Sequence, residues 1–79
     1  MVTNGQLYLL NNWLKDNGVT NVKVGASKNK DFGYLFGLYE TNQKDKRTKY
    51  FYRTPDFDMM ARYISKMYGL IPPACWCVN

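Results

Sequence analysis

The sequence predicts an α+β fold in which a three-stranded antiparallel sheet lies between two helices in the order α-β-β-β-α. Two segments carry apolar residues at helical spacing and have recognisable helix ends. In three segments between them, apolar and polar residues alternate with a period of two, as in strands. The chain has 79 residues, of which 46% are hydrophobic. This length fits one small domain with a packed core, so we predict a single domain over residues 1–79 with both helices on one sheet face.

The first helix is predicted over residues 4–16. Thr3 and Gln6 have the spacing of a capping box, and the leucines that follow recur every three or four residues. Asn17 and Gly18 then supply a left-handed stop. The helix therefore has both of its ends marked in the sequence.

The strands are predicted from alternation and turn residues. Val22, Val24 and Ala26 alternate with Lys23 and Gly25, which is typical of a short strand with one buried face. Residues 27–31 are polar and indicate a turn. Residues 32–40 and 48–53 are rich in aromatic side chains and flank a charged loop, so they predict a hairpin.

The second helix is predicted to start with Thr54 as its N-cap and Pro55 at its first helical position. Gly69 and Leu70 fit a Schellman stop, and the two prolines that follow prevent continuation. We expect the C-terminal segment to pack Trp76 against the domain. The predicted apolar arc of this helix comprises Phe57, Met60, Tyr63, Ile64, Met67 and Tyr68.

Pairing Glu40 with Thr48 sorts the hairpin residues onto two faces. The face beneath the helices should hold Val22, Val24, Ala26, Phe32, Tyr34, Phe36, Leu38, Tyr50 and Tyr52. The opposite face, here called the outer face, should hold Lys23, Gly33, Leu35, Gly37, Tyr39, Lys49, Phe51 and Arg53. The outer face would then be aromatic and basic.

The composition argues against an enzyme. The chain has no histidine, so the usual proton carrier and zinc ligand is missing. No phosphate-binding glycine loop or paired acid and base is recognisable. Cys75 and Cys77 are too close in sequence for an unstrained disulfide, so free thiols are expected. We predict no catalytic residues, no cofactor and no bound metal.

The charge distribution points to an anionic partner. The net charge is +5, and residues 28–53 hold seven basic side chains against three acidic ones. No secretion signal or apolar stretch long enough to cross a bilayer is recognisable, so a cytoplasmic location without a membrane partner is expected.

Lysine and arginine neutralise phosphates while aromatic rings stack on bases. We therefore predict a small, basic, non-catalytic nucleic-acid-binding protein that favours RNA or a single strand. Its candidate binding residues are Lys23, Lys28, Lys30, Tyr39, Lys44, Lys46, Arg47, Lys49, Phe51 and Arg53. The alternative is a purely structural role, in which the loop lysines are exposed to solvent and the tyrosines fill the core and its rim.

A second hypothesis is a protein-binding inhibitor or adaptor that disables a host enzyme or defence complex. Tyr39, Phe51 and Arg53 are residue types that dominate protein interfaces. Abundant asparagine, lysine and tyrosine in a short chain suit a phage or mobile-element protein from an AT-rich genome. A homodimer through an exposed strand edge is also open.

The order of elements resembles that of double-stranded RNA-binding domains, which place both helices on one face of a three-stranded sheet. That family grips phosphates with a basic start to its last helix, whereas residues 54–60 here are acidic and lack lysine. The three strands and following helix are also loosely similar to the sheet-type DNA-binding arms of tyrosine recombinases. Both resemblances cover only the order of elements.

Overall fold

A computed structural model describes residues 2–42 and 49–76 and confirms the α+β fold with its α-β-β-β-α order. The helices are α1 (Asn4–Asp16) and α2 (Phe57–Tyr68), and a short 3-10 turn (Ala74–Trp76) follows. The strands are β1 (Val22–Asn29), β2 (Gly33–Glu40) and β3 (Tyr50–Thr54). They form one antiparallel sheet in the order β1-β2-β3.

Helix α1 begins and ends where the sequence predicts. The Thr3 hydroxyl accepts from the Gln6 backbone N–H, and the Gln6 side chain accepts from the Thr3 N–H. At the other end Gly18 adopts φ +78°. The Val19 N–H then donates to the Leu14 carbonyl at 2.9 Å, which satisfies a helix-terminal carbonyl.

One hydrophobic core lies between the sheet and the two helices. Four strand residues, Val22, Val24, Phe36 and Leu38, form its sheet side. Both helices therefore pack on the same sheet face, as predicted. The helical side of the core comprises Leu10, Trp13 and Leu14 of α1 together with Met60, Ala61 and Ile64 of α2.

Helix α1 is fixed to the edge of the sheet by one side chain. The Asn11 amide nitrogen donates to the Val24 carbonyl at 2.9 Å, and its oxygen accepts from the Val24 N–H at 2.8 Å. These bonds occupy backbone groups that an edge strand otherwise exposes. The edge of β1 is therefore closed at Val24, and dimerisation through a strand edge, which stays a prediction, is favoured at β3.

The hairpin register differs from the predicted one. Leu38 pairs with Tyr52 instead of Tyr50, and an irregularity between Leu38 and Tyr39 brings Tyr39 opposite Tyr50. A bulge adds a residue to one strand and so changes which side chains share a face. Tyr50, predicted to lie beneath the helices, therefore lies on the outer face. Phe36 and Tyr52 keep the predicted orientation, since Phe36 is fully buried and Tyr52 stacks on Tyr63 of α2.

The far end of the β1–β2 hairpin is more exposed than predicted. Strand β1 continues to Asn29, so the predicted turn over residues 27–31 narrows to residues 30–32. Ala26, Phe32 and Tyr34 are exposed instead of buried. An eight-residue strand spans about 26 Å, whereas a thirteen-residue helix spans about 20 Å. The helices are therefore too short to cover this end of the sheet.

Helix α2 starts two residues later than a Thr54 N-cap would require. Asp56 is the N-cap, its carboxylate accepts from the Asp58 N–H at 3.0 Å, and Thr54 ends β3. Met67 was predicted to belong to the apolar arc but is exposed. The predicted stop is confirmed, because Gly69 has φ +67°.

The C-terminal segment packs its tryptophan as expected. The Trp76 ring meets Trp13 edge-on at 5.1 Å and Phe57 at 5.2 Å. Cys75 is a free, exposed thiol, while Cys77 lies outside the described residues. Among residues 2–42 and 49–76, neither helix has the length and apolar character needed to cross a membrane.

Candidate nucleic-acid interface

Each of the three strands contributes an aromatic or a basic side chain to the outer face of the sheet. Lys23 of β1 pairs with Tyr39 of β2, which lies opposite Tyr50 of β3. Arg53 pairs with Gly37, and alternation from the inward Tyr52 places Phe51 on the same side. Among the described strand residues, none of those on this face is acidic. The field at this surface is therefore set by its cations.

Two glycines make room for the rings on this face. Gly25 and Gly37 pair directly across β1 and β2. A Cβ at Gly25 would lie 3.0 Å from Cε1 of Tyr39, and a Cβ at Gly37 would overlap Cδ1 and Cε1 of Tyr50. Each tyrosine ring therefore occupies the space that a side chain on its glycine would need. This pairing of ring and glycine holds both rings close to the sheet.

The Tyr39 and Tyr50 rings are in contact on the outer face. The Tyr39 and Tyr50 rings lie 5.9 Å apart at an interplanar angle of 84°, an edge-to-face contact. Both are half-buried, whereas Phe51 is 56% exposed. The contacts with each other and with the glycines hold these rings in place, so little conformational freedom is lost when a nucleobase stacks on an accessible ring face.

Two exposed cations flank the rings from opposite edges of the sheet. Lys23 lies on edge strand β1 and Arg53 on edge strand β3. Lys23 pairs with Tyr39 and Arg53 with Gly37, so two strand spacings and an offset of two residues along the strands separate their backbones by about 12 Å. A polyanion crossing the three strands would meet a cation at each edge and aromatic rings between them.

The structure brings together four of the ten predicted binding residues, namely Lys23, Tyr39, Phe51 and Arg53. Lys49 is exposed and immediately precedes β3. Lys28 pairs with Tyr34 and faces the other side of the sheet, while Lys30 lies in the β1–β2 turn. The remaining three, Lys44, Lys46 and Arg47, lie outside the described residues.

Part of the outer face is buried. Leu35 and Ser27 pair across β1 and β2, and they are only 7% and 5% exposed. Leu35 was predicted to be part of the open surface, and that prediction is wrong. The accessible aromatic and basic side chains of the outer face therefore lie in the half of the sheet that carries Tyr39, Tyr50 and Lys23.

Tyr50 is a site residue that sequence reasoning missed. Gly37 signalled that a ring would cover a strand glycine, but the assumed register assigned that position to Phe51. A cavity between α1 and β1, lined in part by Lys15 and Lys23, was also missed. The shape of this cavity depends on how α1 packs against β1, and no pattern of neighbouring residues in the sequence predicts that packing.

One tyrosine on α2, Tyr68, has a shifted pKa. Burial raises the pKa of Tyr68, and the neighbouring Tyr63 raises it further. This shift favours the neutral phenol beside the core. Within residues 2–42 and 49–76, no three metal-ligating side chains lie together.

No family model, curated protein or solved structure matches this chain. The functional proposal therefore rests on the geometry and the chemistry of the outer face.

Proposed function

We propose that this protein is a non-catalytic nucleic-acid-binding module that holds a single strand, with RNA favoured, on the outer face of its sheet. The observation that carries the proposal is the placement of Tyr39 and Tyr50 over paired glycines between Lys23 and Arg53. Rings supply stacking and cations supply phosphate neutralisation, which are the two components of single-strand binding.

A single strand fits this surface better than a duplex. Bases in a duplex are stacked on one another, so rings on a sheet cannot reach their faces, whereas an unpaired base can be splayed onto an aromatic side chain. The start of α2 also argues against a duplex grip through the last helix, because Asp56 caps this helix and Asp58 lies in its first turn. Anionic side chains at that position repel phosphates.

Charge reversal on the outer face tests this proposal. We expect Lys23→Glu and Arg53→Glu each to weaken binding of a mixed-sequence RNA of about twelve nucleotides, which is within the site sizes of known single-strand binders. Each loss should be about tenfold or more, because a charge-assisted contact contributes about 1.5–3 kcal/mol. Fluorescence anisotropy at several salt concentrations measures both the affinity and the number of ions released.

The matched control is Lys66→Glu, which makes the same charge change on the exposed side of α2. It should reduce affinity far less, and it should leave the salt dependence nearly unchanged. Equal losses from all three variants would mean that net charge alone attracts RNA and that the outer face is not the site. Absence of any complex with RNA or single-stranded DNA at low salt would refute the function itself.

Protein binding is a second candidate function, favoured by an apolar groove between α1 and the C-terminal segment. The groove encloses about 440 Å³ and includes Leu9, Trp13, Ile71 and Trp76. Ile71 is 87% exposed and adjoins the other apolar residues of the groove, and contiguous exposed apolar surface is typical of a protein-binding site. An inhibitor or adaptor would bind its target here independently of nucleic acid.

Capture of partners from a cell extract, with and without nuclease treatment, distinguishes the two candidate functions. A partner that is retained after nuclease treatment, and is lost when the bait carries Ile71→Asp, supports protein binding through the groove. A partner that is lost on nuclease treatment and on Arg53→Glu supports binding bridged by nucleic acid on the outer face.

A further inference from the structure

We propose that the cavity between α1 and β1 binds a nucleoside phosphate, either the phosphorylated end of a nucleic-acid strand or a free mononucleotide. The cavity encloses about 380 Å³, which lies within the range of small-ligand pockets, about 300–1,000 Å³. In the case of a strand end, the inference rests on the function proposed above.

The lining of this cavity combines cations with apolar walls. Lys15 and Lys23 both line the cavity and are both exposed, and the described part of the chain shows no ion pair to either of them. Val19 and Val22 provide apolar surface. A nucleotide presents this combination, because its phosphate is anionic and its base has apolar faces.

Polar groups for recognition are present as well. Asn12 and Thr20 line the cavity, and their side chains form no hydrogen bond within residues 2–42 and 49–76. Asn11 also lines it, but its amide is committed to Val24. Asn12 and Thr20 therefore remain for the ribose, base or phosphate oxygens.

The C-terminal carbonyls of α1, which would repel an anion, are largely satisfied by the chain itself. The Asn17 N–H donates to the Trp13 carbonyl, the Gly18 N–H to the Lys15 carbonyl, and the Val19 N–H to the Leu14 carbonyl. The hydrogen bonds of this helix stop reduce the exposed negative partial charge near the cavity. The charged residues that line the cavity itself are the two lysines.

Lys23 connects the cavity to the outer face. It lines the cavity and also pairs with Tyr39 at the edge of the aromatic surface. A strand that crosses the rings towards β1 therefore passes Lys23 and ends at the cavity mouth. We expect the terminal phosphate of such a strand to lie between Lys15 and Lys23.

The test compares RNAs that differ only in their ends. Fluorescence anisotropy with an RNA of about twelve nucleotides carrying a 5′-phosphate, a 3′-phosphate or only hydroxyl ends should show at least a fivefold preference for one phosphorylated end. Lys15→Gln should abolish this preference while leaving the hydroxyl-ended RNA bound as before. The control Lys66→Gln, which removes the same charge from α2, should keep the preference.

Titration with adenosine and uridine monophosphates, followed by protein NMR, separates the two sources of the ligand. Shifts at Asn12, Lys15 and Thr20 that disappear in Lys15→Gln assign the site to free mononucleotides, even if no RNA binds and the proposed function fails. RNA binding without any end preference, together with no mononucleotide shifts in the cavity, overturns this inference and leaves the proposed function intact.

Discussion

Replacing Phe36 with alanine is expected to lower the free energy of unfolding by about 3–5 kcal/mol, the usual loss for a large aromatic core residue. Phe36 is fully buried on the helical side of β2 and meets Phe57 of α2 edge-on at 6.0 Å. The free energy of unfolding of a domain of this size is only about 4–12 kcal/mol. The variant should therefore lose a large fraction of its stability. Urea unfolding followed by the fluorescence of Trp13 and Trp76 measures the change.

The matched control is Phe51→Ala, which removes the same ring from the outer face. Because Phe51 is 56% exposed, its loss should change stability by less than about 1 kcal/mol. The free energy of RNA binding should instead become less favourable by about 1–3 kcal/mol, the contribution of one base stacked on an aromatic ring. A larger stability loss from Phe51→Ala than from Phe36→Ala would mean that the two sheet faces are assigned the wrong way round.

Gly37→Ala is expected to lower the free energy of unfolding by about 1–3 kcal/mol through overpacking. The new Cβ would overlap the Tyr50 ring, so the ring must leave its position above the sheet. The edge-to-face contact between Tyr39 and Tyr50 would be lost with it. Weaker RNA binding should accompany the loss of stability, because the aromatic surface depends on this arrangement.

Gly5→Ala serves as the control for this substitution. Gly5 lies in the first turn of α1, and the atom nearest to a Cβ at this position would be the Thr3 hydroxyl oxygen, 4.0 Å away. Alanine should therefore stabilise the helix by about 0.5–1 kcal/mol without affecting RNA binding. If Gly37→Ala were also stabilising, the close contact between Gly37 and Tyr50 would be contradicted.

The parts of the fold that local signals determine were predictable. Helix α1 has a capping box at Thr3 and a glycine stop at Gly18, and its bounds match the prediction. The inward orientation of Phe36 and Leu38 follows from the period of two along β2. These features depend on residues that are close in sequence, so the amino-acid sequence alone is enough to predict them.

The features that depend on tertiary geometry were not predictable. The pairing of β2 with β3 shifts its register between Leu38 and Tyr39, where β3 has an extra residue, and this shift moves Tyr50 to the outer face. Alternation alone cannot report an extra residue in one strand. The exposure of Phe32 and Tyr34 follows from the length of the helices relative to the sheet, which no strand pattern contains.

The candidate site shows the same division. Lys23, Tyr39, Phe51 and Arg53 were placed on one face by parity, and the structure agrees. Lys28 was grouped with them by charge density along the chain, although its side chain belongs to the opposite face. Charge clustering in sequence therefore overestimated the surface that a single strand could contact.

Mapping the RNA contact by NMR shows directly which face of the protein binds the strand. When an isotope-labelled sample is titrated with single-stranded RNA, we predict the largest shifts at Lys23, Tyr39, Tyr50, Phe51 and Arg53, with the exposed residues of α2 nearly unchanged. Shifts concentrated on Arg62 and Lys66 of α2, with the residues of the outer face unchanged, would show that RNA binds the helical side and not the sheet.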